Sequence, residues 1–175
     1  KVAEKIFTSL GIRYKIINSD YDDFVGQNGF FQLECNGYLY GEIYPIEFEN
    51  VMDKVSIYDW FERLIRVSFN LLKKNYVVLS DVESYNTWIE FKKENKNLII
   101  SIVQACKDST KDIEYHLIKT KYGEWYGQKV LLNQFIEEVT FNANKYIKYV
   151  ICHNKTNKTF KKLKDDIEYL YSLVN

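Results

Sequence analysis

Apolar residues alternate in short paired runs over the first two-thirds of this chain and recur at helical spacing over the last third. Antiparallel hairpins followed by two consecutive helices specify an α+β fold with helices on one sheet face. The βαβ repetition of a doubly wound fold is absent. Residues 29–35 and 38–44 flank Asn36-Gly37, a pair that accepts positive φ at both turn positions and predicts a type I′ hairpin. Residues 12–17, 76–79, 87–92, 98–104 and 113–118 also read as strands, with 87–92 and 98–104 joined across 94–97. Together they predict an antiparallel sheet of about five to six strands.

One central helix interrupts this series. Ser56 can cap its first turn, Asp59 stands three residues on, and Ile57, Trp60, Phe61, Leu64, Leu71 and Leu72 form its apolar stripe. Two C-terminal helices follow. The first runs from Gly127 with Leu132, Phe135, Ile136, Val139, Ala143, Tyr146, Ile147 and Val150. The second carries Phe160, Leu163, Ile167, Leu170 and Val174. The spacing of Val2, Ile6 and Leu10 predicts a short helix at the start, stopped at Gly11.

With 175 residues, one Pro and seven Gly, the sequence offers no linker and no repeat, which predicts a single domain over 1–175. Three cysteines (Cys35, Cys106 and Cys152) lack CxxC spacing and fit reduced thiols better than a disulfide framework. No stretch approaches the ~18 apolar residues of a membrane span, and no signal-peptide pattern opens the chain, so a cytoplasmic location is expected.

The total of 24 basic and 24 acidic residues conceals a strong segregation of charge. Residues 18–62 hold ten carboxylates and one Lys, whereas 145–164 hold seven Lys and no acid. Such asymmetry bears on partners more than on fold. Asp20, Asp22, Asp23, Glu42, Glu47, Glu49 and Asp53 could steer a basic protein, with Tyr38, Tyr40 and Tyr44 as anchors. Strand alternation places Tyr38, Tyr40, Glu42 and Tyr44 on one face. Charge reversal at Asp22 and Glu47 is then expected to slow association. Trp60 and Phe61 read as core.

Signatures of catalysis are missing. There is no P-loop, no G-x-G-x-x-G, no nucleophile elbow and no zinc-ligand spacing, so the sequence requires neither cofactor nor metal. The acidic run from Asp20 fails as a calcium loop, because Val25 occupies the glycine position and Phe31 the bidentate-Glu position. The pairs Asp81/Glu83, Glu137/Glu138 and Asp165/Asp166 read as solvated acids. Two alternatives stay open: a small enzyme assembled around Cys106, His116 and Cys152, and a nucleic-acid adaptor using residues 145–164. Zero net charge disfavours the second.

Gly37-Tyr-Leu-Tyr-Gly-Glu42 leads to a helix carrying Asp59-Trp60-Phe61 and Leu64-Ile65. Asp81-Val82-Glu83 then precedes Asn86-Thr87-Trp88-Ile89-Glu90-Phe91, and Ile99-Ile100-Ser101-Ile102 follows. This layout, over about 29–104, resembles small cytoplasmic immunity proteins of bacterial polymorphic and contact-dependent toxin systems. The resemblance implies a non-enzymatic protein that binds and blocks a cognate toxin, often a basic nuclease domain. It carries over no site residues. No membrane partner is expected, since no stretch is apolar enough to span one.

Overall fold

A computed structural model of the chain describes residues 9–108 and 110–175. Val2 and Ile6 of the expected N-terminal helix lie outside the described residues. Leu10 and Gly11 are not a helix end. They open strand β1 (Leu10–Ile16), which pairs antiparallel with β2 (Asn28–Cys35). β2 turns into β3 (Tyr38–Tyr40) across Asn36 and Gly37, whose φ values of 51° and 88° are those of the type I′ turn. β4 (Val55–Ser56) pairs with the start of β2 and completes this four-stranded sheet.

Ser56 then caps helix α1 (Ile57–Leu71), its hydroxyl accepting the Asp59 amide at 3.2 Å. Strands β5 (Tyr76–Ser80), β6 (Thr87–Glu94) and β7 (Asn97–Gln104) form a meander. The tight β6–β7 turn is made possible by Asn95 at φ 56°. β8 (Ile113–Glu114) adds to β5. β9 (Lys121–Tyr122) and β10 (Gln128–Leu131) add to the two ends of β7, giving a six-stranded antiparallel sheet. Two helices close the chain: α2 (Leu132–His153) and α3 (Lys158–Val174), the latter capped by Asn157 on the Phe160 amide at 2.9 Å.

The architecture is α+β, with a central helix and two C-terminal helices against antiparallel sheet. The strands are shared between two sheets, and α1 lies where they meet, touching β2, β5, α2 and α3. Its fully buried Phe61 is the hub, with ring centroids 5.3 Å from Tyr14, 5.3 Å from Phe31 and 5.1 Å from Tyr146. A single buried cluster therefore draws on both sheets and all three helices.

Two polar devices hold the periphery. The free edge of β1 is covered by α2, where Glu138 accepts the Ile12 amide at 3.0 Å. Asn154, at the end of α2, grips the 18–27 loop by bonding both the amide and the carbonyl of Val25, at 2.9 and 2.8 Å. On the other sheet, Arg63 and Arg66 of α1 clamp Asp112, and Arg66 also holds Glu62 at 2.7 Å. The Arg66 hydrogen bond keeps the Asp112 carboxyl below its ordinary 3.8, although partial burial opposes this. A depressed folded-state value stabilises above the unfolded pKa, and that stability is lost as pH falls through the folded one. Urea unfolding should therefore show a falling midpoint below about pH 4. Asp112→Asn should flatten that acid limb and cost about 1 kcal/mol at neutral pH. An unchanged acid limb in the variant would remove Asp112 from the account.

Candidate functional site

Where β3 ends, Gly41 takes φ 81° and sends the chain across the face of β2. This places Tyr40, Gly41, Glu42 and Tyr44 opposite the loop after β5, which carries Asp81 and Glu83. Between them lies a cleft of about 260 Å³. Phe30, Phe31, Val55 and Trp60 complete its apolar lining, and Asp53 adds a fourth carboxylate. The rings order one another: Phe31 and Trp60 are parallel at 5.1 Å, Tyr40 meets Trp60 edge-on at 6.3 Å, and Phe30 meets Tyr44 at 5.2 Å.

The Tyr40 hydroxyl donates to Asp81, tying the two rims together. Burial first, then the Asp81 charge and hydrogen bond, hold this phenol in its neutral form. The Tyr44 hydroxyl is likewise pushed up by desolvation, by its bond to Glu42 and by the charges of Glu42 and Asp53. Among the described residues no cationic side chain lines the cleft. Lys107 donates to the backbone carbonyls of Asp81 and Ser84 and its charge acts on the Asp81 carboxylate, which accepts the Tyr40 hydroxyl and, at 3.0 Å, the Glu83 amide. In the segments that supply the lining, Leu39, Phe48 and Val82 are exposed, as are Ile46 at 76% and Val51 at 72%. Exposed apolar side chains of this size are a mark of protein-contact surfaces.

Four of the ten residues proposed from sequence, Tyr40, Glu42, Tyr44 and Asp53, line this cleft. Glu47 does not line it and lies three residues beyond Tyr44, on the exposed 3-10 turn Ile46–Phe48. Glu49 is committed to an ion pair with Lys15. Tyr38 lies in an adjoining groove against Trp125, 6.5 Å away, which Tyr40 also lines. The expected strand face ends at Tyr40, because Gly41 breaks the alternation.

The Asp20–Asp23 group is placed elsewhere. Asp22 accepts the Ser19 amide at 2.9 Å and Asn28 Nδ2 at 2.8 Å, and Asp23 bonds Gln27. Their loop is anchored to the end of α2 and to α3, through Asn154 and a Phe24–Phe160 ring contact at 4.9 Å. Asp81 and Glu83, with Phe30, Phe31, Gly41, Val55 and Trp60, are the lining residues that sequence reasoning left out of the site. The only signal for the first two was a carboxylate pair between two strands.

The alternative centres assemble less. Cys106 and His116 do line one cavity, of about 440 Å³, while Cys152 is exposed near the far end of α2. There the Cys106 thiol donates to Asp108 at 3.3 Å, and this bond raises its pKa, the reverse of what a thiolate nucleophile needs. The expected strand over 113–118 stops at Glu114, so His116 belongs to an irregular loop. Glu90 is 2% exposed but fully engaged, accepting Tyr76 at 2.7 Å and Tyr122 at 2.9 Å. The lysines of 145–164 are dispersed. Lys145 shares a cleft with Arg13 and Lys15, whereas Lys162 and Lys164 pair with Asp166 and Glu168.

Among the described residues, no group of three His, Cys, Asp or Glu is placed to hold a metal, and no helix is long and apolar enough to cross a membrane. The chain matches no protein-family model, no curated protein and no solved structure.

Proposed function

We propose that this protein is a non-enzymatic, antitoxin-like bacterial immunity protein that neutralises a cognate toxin by stoichiometric binding, in the cytoplasm. The contact centres on the cleft between residues 40–44 and 81–83. The observation that carries this reading is an aromatic floor beneath four carboxylates with no lining cation among the described residues. Such a surface complements a basic domain, a nuclease for example: the acids speed encounter and the rings supply affinity on closure. The resemblance in layout over 29–104 agrees with it.

The test compares wild type with a Glu47→Lys/Glu83→Lys variant as baits in lysate of the source organism. Both residues are exposed, whereas the Asp22 carboxylate holds its own turn by accepting the Ser19 amide. Wild type should recover one basic protein at 1:1 and suppress its toxicity. The variant should associate at least tenfold more slowly at low salt, with the difference shrinking as salt rises. A partner held equally by both baits, or one whose toxicity is unaffected, would defeat the proposal.

A further inference from the structure

We infer that the cleft is a receptor for an arginine side chain of the partner protein. This rests on the protein-binding reading above and specifies what the partner presents at its centre. The cleft's size indicates a single side chain. At about 260 Å³ it is smaller than the roughly 300–1,000 Å³ of sites that enclose whole small molecules.

Its lining selects the chemistry. Phe30, Phe31, Tyr40, Tyr44 and Trp60 supply ring surface, and an aliphatic occupant would satisfy these alone. An uncharged occupant would strip water from Glu42, Asp53, Asp81 and Glu83 and offer no charge in return, leaving Asp81 its bonds from Tyr40 and the Glu83 amide and Glu42 its bond from Tyr44. A cation resolves this. Among the described residues no three of these acids converge tightly enough for a metal ion, so the negative charge is spread along the groove. A guanidinium is planar, delocalised and weakly hydrated. It stacks on ring faces while its fork reaches carboxylates, whereas an ammonium is a compact, strongly hydrated point charge. The Tyr40–Asp81 bond fixes one wall before the occupant arrives, which limits the ordering cost.

The probe is N-acetyl-arginine N-methylamide, titrated into the 15N-labelled full chain beside its lysine and citrulline counterparts. Saturable shifts are expected for the amides of 40–44, Asp53 and Val55 and for the Trp60 indole. Arginine should bind at least fivefold more tightly than lysine, and neutral citrulline should not bind. A Glu42→Gln/Asp53→Asn variant, with its unligated spectrum otherwise retained, should weaken arginine about tenfold. No saturable shift at the cleft, or equal binding of citrulline, would overturn the receptor.

No toxin is needed for this experiment, so the two readings fail separately. A captured partner with no arginine binding defeats the receptor and leaves neutralisation standing. Arginine binding with no captured toxin supports the receptor and defeats only the toxin assignment.

Discussion

Replacing Phe61 with alanine is expected to destabilise the protein by about 3–5 kcal/mol, the range for an aromatic deleted from a rigid core. The side chain is fully buried on α1, and its ring touches Tyr14 of β1, Phe31 of β2 and Tyr146 of α2. Deletion removes transfer energy and leaves a cavity. The three surrounding rings sit on different elements and cannot all move inward together. A domain stable by roughly 5–15 kcal/mol would lose a large fraction of its margin. The melting temperature should fall by roughly 10 °C or more. Because α1 joins the two sheets, loss should be cooperative, with far-UV and tyrosine signals melting together. A fall of under about 1 kcal/mol, or separate transitions for the two sheets, would show that Phe61 is not the hub.

That junction also explains which parts of the fold were legible in sequence. The Asn36-Gly37 turn, the Ser56 cap and the β6–β7 hairpin are local events, written in residues a few positions apart. Alternation at 12–16 or 76–80 reports that one strand face is buried, but not which strands pair. Both sheets bury their inner faces around α1, so the two have the same signature, and the division into two sheets could not be read. β10 was missed because it has four residues and runs into α2 without a break, at Leu131 and Leu132. The helical reading from Gly127 therefore starts five residues before the helix itself, which begins at Leu132. The run 113–118 alternates over six residues but pairs over only two, since Lys119 at φ 53° and the loop before β9 draw it off the sheet.

The candidate site was legible to a similar degree, for a related reason. Charge segregation in sequence marks a neighbourhood, and folding then sorts its members. Asp22 and Asp23 were consumed by turn hydrogen bonds and Glu49 by Lys15. Asp81 and Glu83 arrived from forty residues away, because β5 and β3 end on the same side of α1. Asn154 and Asn157, in the lysine-rich stretch, are likewise structural: one holds Val25 and the other caps α3.

Gly41→Ala is expected to damage both stability and the cleft, and Gly37→Ala provides its control. Both glycines have φ above 80°, at 81° and 88°, so alanine at either incurs the left-handed cost of about 1–2 kcal/mol. They differ in what a methyl group would meet. At Gly37 nothing lies within 4 Å, whereas at Gly41 the new Cβ would sit 2.2 Å from the Phe31 carbonyl oxygen. That oxygen belongs to β2, held in place by its pairing with β1 where Tyr14 faces Phe31, so the 41–44 segment must yield. Overpacking adds about 1–3 kcal/mol, bringing Gly41→Ala to about 2–5 kcal/mol by urea denaturation, with the slope unchanged. Displacing this segment carries Glu42 and Tyr44 away from Trp60 and Asp81, so the arginine probe should weaken in Gly41→Ala and be unaffected in Gly37→Ala. Equal losses in the two variants would mean that the close approach to β2 does not shape the cleft.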